Sequence, residues 1–230
     1  MNMKSNTLKL LKKELCLGNA SQTVIWTICC FGMYFIPSYP MYVGPFYMTL
    51  CIMMTFALNQ SSHDILYTVL LPVKKIDVVK ARFMYCGMME LFAFICALLG
   101  WCIRTAAGFP ANTAGIELTL AYFGFQMIIF AIFNLIFLGN VYKDPLKPGL
   151  RYIAAAVAYF ICYAACELPV WAYYANAENS LAKVGELYTS RDTQFIIPQL
   201  IILAAGIVIY AVSWCLTFRR AARQFEKYDL

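Results

Sequence analysis

The strongest constraint in this sequence is a run, residues 15–62, that contains no acidic or basic side chain. A helix needs about 20 apolar residues to cross the hydrocarbon core of a bilayer, so this run is long enough for two crossings. A Pro- and Gly-rich segment, residues 37–45, lies in its middle and predicts the turn between them. Residues 118–142 and 193–218 are further uncharged runs. The chain is therefore predicted to be an integral membrane protein.

Composition supports one membrane domain without a soluble one. Only 13% of the 230 residues are charged, against roughly 25% in soluble domains. The lysine-containing start lacks the apolar core and the small-residue cleavage site of a signal peptide. We expect an all-α fold with a single transmembrane domain over residues 1–230. Its six predicted spans cover residues 20–37, 42–60, 83–103, 118–142, 152–172 and 193–218.

The basic residues predict that both termini lie in the cytoplasm. With the N-terminus inside, fifteen of the 18 Lys and Arg residues fall on the inner side, as the positive-inside rule requires. Their segments are residues 1–19, 60–82, 143–151 and 219–230. Anionic lipid headgroups account for the net charge of +6, and no nucleic-acid partner is expected. Tyrosine and tryptophan prefer membrane interfaces, and an outer aromatic belt is predicted from Tyr34, Tyr39, Tyr42, Tyr47, Trp101, Trp171, Tyr173 and Tyr174.

The N-terminal stretch Thr7–Leu17 has the spacing of an amphipathic helix. Leu8, Leu11 and Leu15 recur every three or four residues, and lysines occupy the other faces. This pattern predicts a helix in the cytoplasmic interface, with its apolar side in the acyl chains. The alternative is a positively charged anchor with no moving part.

The loop between predicted spans 2 and 3 combines an apolar stripe with charges. Ser61 or Ser62 can cap a short helix, with Asp64 in its first turn. Pro72 ends that helix, and a second one can start near Asp77 and run into span 3. The predicted element is a short amphipathic helix along the membrane, followed by a basic turn. It either binds a cytoplasmic partner or rests on lipid headgroups.

The residues Leu71-Pro72-Val73-Lys74-Lys75, followed by the apolar stretch into span 3, resemble the first cytoplasmic loop of type-2 ABC exporter membrane subunits. The resemblance is closest to a small six-span bacterial permease family, whose loop typically reads Leu-Pro-(Ile/Val)-(Ser/Thr)-(Arg/Lys)-Lys. Lys74 departs from that pattern, because a hydroxyl residue is common there. The length of the chain and its N-terminal helix resemble the same family.

The resemblance implies that the loop is a coupling helix bound by a separate ABC ATPase subunit. The contacts carried over are His63, Asp64, Leu66, Tyr67, Leu70, Leu71 and Lys74. The resemblance also implies a second copy of the chain, a substrate path between the copies, and export across the bacterial cytoplasmic membrane of an amphipathic or peptide-like substrate. No G-x-x-x-x-G-K-[ST] motif occurs in the chain. We therefore expect no enzymatic activity and no cofactor here, with ATP and Mg in the partner subunit.

Two carboxylates fall inside predicted spans. Glu90 lies about 10 Å along the helix from Phe83, on one face with Arg82 and Cys86. A charge at this depth is costly, and it faces either protein or a water-filled path. The favoured interpretation is pairing with a basic residue of the cytoplasmic side; the alternative is a residue of the substrate path or gate. Glu167 is a candidate for an outer gate.

Three further expectations concern the outer half of the chain and its small residues. Glu117 opens span 4 and is interpreted as structural, favoured by the helix dipole. Residues 167–185 are expected to form a partly re-entrant outer segment, as in the resembled exporters. The small residues 154–158 predict close helix packing, either within one subunit or between two copies.

The cysteine and histidine residues do not form the pattern of a catalytic or metal site. The ten cysteines lie mostly in apolar runs, where cysteine packs as a small hydrophobe. His63 is the one histidine, so neither a zinc-protease motif nor a metal site is predicted. The alternatives to a permease are an ion-coupled secondary transporter, which favours several intramembrane ionisable residues and internal repeats, an intramembrane enzyme, and a non-transporting scaffold or immunity protein.

Overall fold

The computed structural model describes residues 3–15, 20–64, 67–68, 73–144 and 147–227. Within these residues the chain is helical and contains no strand. The helices are α1 (Met3–Lys13), α2 (Ala20–Met33), α3 (Val43–Ser61), α4 (Lys75–Ala106), α5 (Leu120–Ile136), α6 (Pro148–Tyr174), α7 (Ser180–Thr189) and α8 (Ile196–Glu226). A helical turn, Leu138–Val141, follows α5, and a 3₁₀ turn, Thr193–Phe195, precedes α8. The predicted all-α class is confirmed.

Four stretches of helix in the described residues are long and apolar enough to cross a membrane. They are Lys75–Ala106, Leu120–Val141, Pro148–Tyr174 and Thr193–Glu226. The other two predicted spans coincide with α2, which has 14 residues, and α3, which has 19. At 1.5 Å per residue α2 is only about 21 Å long, short of a hydrocarbon core of about 30 Å. The count of six spans therefore stays a prediction.

Local sequence explains where several helices begin and end. Pro148 occupies the first position of α6, where its missing N–H costs nothing. The Asn179 side chain accepts a hydrogen bond from the Ala182 N–H at 2.9 Å and caps α7. Asp77 lies in the first turn of α4 and Arg104 in the last, as the helix dipole favours.

The two serines that were predicted to cap the following helix bond back into the end of α3. The Ser61 and Ser62 hydroxyls donate to the Leu58 carbonyl at 2.9 Å, so they belong to the last turn of α3. His63 then adopts a φ of 52°, a left-handed conformation that commonly terminates helices. The predicted cap of the segment ahead involves residues 65–66, which lie outside the described residues.

The helix α1 packs against α4 with part of its apolar face, and its place in the cytoplasmic interface stays a prediction. Leu10 and Leu11 are buried, whereas Leu8 is exposed, and α1 lies against α4. The predicted apolar face of Leu8, Leu11 and Leu15 is therefore divided between the protein and the surroundings. This contact brings the end of α1 to the start of α4.

A cluster of tyrosines fills the core at the ends of α2 and α5. The Tyr34 and Tyr122 hydroxyls are 3.1 Å apart, and the Tyr42 ring stacks on the Tyr122 ring at 4.8 Å. The Tyr159 hydroxyl donates to the Tyr42 carbonyl at 2.7 Å. All four side chains are buried. Tyr34 and Tyr42 therefore face the interior of the bundle, and their predicted place in an outer aromatic belt stays a prediction.

Two glycines allow α5 and α8 to approach closely. A methyl group in place of the Gly206 hydrogen would lie 2.3 Å from the Gly124 carbonyl oxygen. A methyl group at Gly124 would lie 2.7 Å from the Ile202 carbonyl oxygen. Small residues at such crossings let helices gain contact where lipid provides no hydrophobic driving force.

Residues 167–185 comprise the last turns of α6 and the start of a separate helix. The chain turns after Tyr174, and α7 packs back on α6. Their contact requires Gly185, because any side chain there would collide with the Pro169 carbonyl oxygen. The predicted re-entrant segment is thus a helical hairpin, and its depth in the membrane stays a prediction.

Candidate functional site

Four charged side chains meet where α1, the end of α3 and the start of α4 converge. Arg82 of α4 lies 3.4 Å from the Glu14 carboxylate and 3.3 Å from the Asp64 carboxylate. Lys13 forms a further ion pair with Asp64. We call Lys13, Glu14, Asp64 and Arg82 the ion network. It joins the N-terminal segment, the loop after α3 and the long helix α4.

Neutral groups complete the ion network. Asn59 donates to Glu14 at 2.8 Å, and Lys13 donates to the Thr68 hydroxyl at 3.0 Å. The Arg82 guanidinium also lies over the Phe56 ring, 5.4 Å from its centre. Only 3% of Arg82 is exposed. A buried charge of this kind is tolerated when it is paired and hydrogen-bonded, and it fixes geometry more than it adds stability.

The described part of the loop 63–74 is helical at its start and extended at its end. The Tyr67 N–H donates to the His63 carbonyl at 3.3 Å, closing a helical turn. His63, Tyr67 and Lys74 are exposed, and Asp64 is held in the ion network. Leu66, Leu70 and Leu71 lie outside the described residues. The loop thus presents exposed side chains while Asp64 anchors its first turn.

A groove of about 340 Å³ opens beside the ion network. Its lining includes Lys13, Glu14, Asn59, Ser61 and Asp64. Contact with a partner on this side of the loop would therefore reach the ion pairs directly.

Glu90 joins three helices through neutral partners. It accepts hydrogen bonds from Asn134 of α5 at 2.7 Å and from Tyr210 of α8 at 2.5 Å. Only 1% of the residue is exposed. The favoured prediction, pairing with a basic residue, was wrong, because Arg82 lies two turns away and is occupied by Glu14 and Asp64. Its position at a helix junction favours a role in holding α4, α5 and α8 together.

Glu167 holds the loop between α4 and α5. Its carboxylate accepts a hydrogen bond from the Ile116 N–H at 2.8 Å, and the residue is completely buried. A side chain at Gly115 would lie 2.6 Å from this carboxylate. Trp171, one turn further along α6, donates to the Ala114 carbonyl at 3.0 Å. Glu167 therefore attaches α6 to the loop between α4 and α5. A displacement of α6 would move this loop.

Glu117 binds two of the three basic residues that the prediction placed outside. Its carboxylate lies 3.2 Å from Arg104 and 3.0 Å from Arg191. Thr119, two residues later, accepts the hydrogen bond that caps α5. Glu117 is structural as expected, but its partners are arginines rather than the helix dipole.

Sequence reasoning missed the residues that complete the ion network. Glu14 and Lys13 were interpreted only as part of a basic N-terminal segment, and Asn59 was not considered. The available signal was Arg82, one turn before Cys86 on the face that carries Glu90. A buried arginine requires carboxylate partners, but the sequence alone does not select Glu14 and Asp64 over Asp77, which is closer along the chain.

The described residues contain no group of three or more His, Cys, Asp or Glu side chains that could hold a metal ion. The nine described cysteines are free thiols, among them Cys162 and Cys166. The polar groups described above serve to position helices and loops.

Comparison with known proteins relates the whole bundle to one family. No curated protein and no solved structure matches the chain. The family described as "ABC-2 family transporter protein" matches residues 9–220, which include α2 to α7, most of α8 and the ion network. This family consists of membrane subunits that work with an ABC ATPase. The chain therefore belongs to the ABC-2 transporter family and is an ABC permease.

Proposed function

We propose that the chain is the membrane-spanning subunit of an ABC exporter, driven by a separate ATPase that binds the loop 63–74. The observation that carries the proposal is the position of Asp64. It lies in the first turn of the loop, and it is ion-paired with both Lys13 and Arg82. A partner that moves this turn also moves α1 and α4.

The path from the loop into the bundle runs along α4. Arg82 receives the ion pairs at one end, and Glu90 binds α5 and α8 two turns further on. Both side chains are buried and held by hydrogen bonds, so α4 transmits a displacement as a rigid element. ATP and Mg belong to the partner subunit in this scheme. Both termini and the loop lie in the cytoplasm.

A second copy of the chain completes the permease in this proposal. An apolar groove of about 540 Å³ lies along α6, and its lining includes the small residues Ala156 and Ala164. It is also lined by Ile153, Val157 and Phe160. Close packing of two such faces suits small residues. The substrate, which we expect to be amphipathic or peptide-like, passes between the copies and leaves the cell.

Purification of the tagged chain from its native host in mild detergent tests the proposal, with mass spectrometry of the proteins that accompany it. An ABC ATPase is expected to accompany the normal chain. The double change Leu70→Asp and Leu71→Asp is expected to remove it. The matched control, Leu181→Asp with Val184→Asp, alters two exposed apolar residues of α7 and leaves the ATPase bound.

A third variant separates binding from coupling. Asp64→Asn retains the loop but removes the charge that holds Lys13 and Arg82. It is expected to keep the ATPase bound and to abolish the stimulation of ATP hydrolysis by substrate. Recovery of no ATPase with the normal chain, or undiminished recovery with the Leu70 and Leu71 variant, contradicts the proposal.

A further inference from the structure

One face of α8 changes from apolar to basic near the end of the helix. Its exposed apolar positions are Ile209, Val212 and Leu216. The same stripe, at spacings of three and four residues, continues with the exposed residues Arg219, Arg223 and Lys227. The transition occurs within one helical turn, between Leu216 and Arg219.

A groove of about 360 Å³ lies at this transition. It is lined by Leu216, Arg219, Arg220, Arg223, Gln224 and Lys227. Two of these residues form hydrogen bonds outside α8. Arg220 donates to the Asn140 side chain at 2.7 Å, and Gln224 donates to the Gly139 carbonyl at 3.0 Å. These bonds attach α8 to the turn after α5, so the groove has a defined shape.

The groove carries positive charge that the described part of the protein does not neutralise. Arg219, Arg223 and Lys227 form no ion pair with any residue in the described ranges. Glu226 is exposed near this face but does not line the groove. Three cationic side chains are thus available to an anion.

We propose that this groove binds the phosphate headgroup of an anionic phospholipid, whose acyl chains lie along Ile209, Val212 and Leu216. The depths agree with this occupant. Arg219 and Arg223 lie about 4.5 and 10 Å beyond Leu216 along the helix. The headgroup layer of a bilayer is roughly 5–8 Å thick, and arginine side chains can reach back toward it.

Charge and apolar surface together distinguish this occupant from others. Arginine pairs with phosphate through two parallel hydrogen bonds, which favours a phosphate over a diffuse layer of counterions. A free phosphate would use the basic part of the groove alone. A lipid would use the basic part and would also cover the exposed apolar stripe that leads into the groove.

Native mass spectrometry of the full chain in a neutral detergent tests the inference, with phosphatidylglycerol and phosphatidylcholine offered at equal concentration. Each basic side chain contributes about fivefold to binding of an anionic lipid. The variant Arg219→Gln, Arg223→Gln and Lys227→Gln should therefore bind phosphatidylglycerol about 100-fold more weakly. Its binding of phosphatidylcholine should not change.

Two further variants make the result specific. Lys143→Gln, Lys147→Gln and Arg151→Gln remove the same charge elsewhere and should leave phosphatidylglycerol binding within about fivefold of normal. Arg219→Lys with Arg223→Lys keeps the charge but loses the paired hydrogen bonds, so it should bind phosphatidylglycerol more weakly than the normal chain and more tightly than the first variant. Three results would each overturn the inference: normal phosphatidylglycerol binding by the first variant, an equal loss in the control variant, or displacement of the lipid by an equal concentration of inorganic phosphate. Loss of a co-purifying ATPase from the first variant, with phosphatidylglycerol binding intact, would assign the groove to a protein and overturn it as well.

Discussion

At the scale of single residues, Glu90 shows how a buried carboxylate can serve architecture. It accepts hydrogen bonds from Asn134 and Tyr210, which belong to two different helices. Both partners are donors, so the carboxylate supplies the acceptor that each needs in the buried interior of the bundle. The sequence identified the residue as exceptional but not its partners.

Glu90→Gln is expected to change the stability of the purified protein by less than about 1 kcal/mol, because the Gln oxygen can accept from Asn134 and the Gln amide can donate to the Tyr210 hydroxyl. Glu90→Leu leaves Asn134 and Tyr210 without an acceptor, at a cost of about 1–3 kcal/mol for each group. Thermal unfolding followed by size-exclusion chromatography measures both. Leu91→Ala, on the exposed side of α4, is the control. Normal stability with complete loss of transport in Glu90→Gln would instead place the residue in the substrate path.

At the scale of helices, ion pairs and glycine contacts decide how neighbours pack. The ion network joins α1 to α4, and the Gly124–Gly206 contact joins α5 to α8. The first depends on charge in a buried place, and the second on the absence of side chains. Removal of one charge should therefore weaken the first contact, and addition of one methyl group should weaken the second.

A double-mutant cycle between Glu14→Gln and Arg82→Gln should give a coupling free energy of about 1–3 kcal/mol, because both side chains are buried and in contact. The same cycle between Asp77 and Lys80 is the control. Lys80 is 40% exposed at its side chain and 3.9 Å from Asp77. That pair should give less than about 0.5 kcal/mol. Equal coupling in the two cycles would contradict a structural role for the ion network.

Gly206→Ala is expected to destabilise the α5–α8 pair by about 1–3 kcal/mol, because the new methyl group would overlap the Gly124 backbone. Gly32→Ala is the matched control, since a methyl group there meets no atom within 4 Å. It should be neutral or stabilising by up to about 1 kcal/mol. Unfolding temperatures in one detergent compare the two. A loss of stability confined to Gly32→Ala would show that α5 and α8 pack differently.

At the scale of the whole molecule, large apolar surfaces remain exposed on α4, α6 and α8. Lipid covers such surfaces in a membrane protein, and a second copy of the chain can cover part of them. The groove along α6 differs from the other faces in combining small residues with Phe160 and Ile161. This difference is the reason for placing the proposed contact between copies on α6.

A photo-crosslinking amino acid at Val157 is expected to yield a covalent dimer in native membranes, because Val157 lines the α6 groove. The same group at Val208, equally exposed on α8, should yield mainly lipid adducts. Denaturing electrophoresis distinguishes a band at twice the mass of the 26.1 kDa chain. A dimer formed from position 208 and not from position 157 would move the interface to α8.

The sequence by itself determined the class of the protein and much of its helical plan. Uncharged runs, basic segments and prolines are local properties, and they set where helices can begin and end. The predicted start of a helix near Asp77 and its continuation through span 3 agree with α4. The loop motif also identified the family, because it is read from consecutive residues.

Only the tertiary structure decided the partners of Arg82, Glu90 and Glu117 and the burial of Tyr34 and Tyr42. In these helices nearly every face is apolar, so the 3.6-residue period does not reveal which face meets which neighbour. The ion network joins residues 13 and 14 with residues 64 and 82, which are far apart in the chain. Such pairings depend on how helices cross, and backbone contacts such as Gly124 with Gly206 set those crossings.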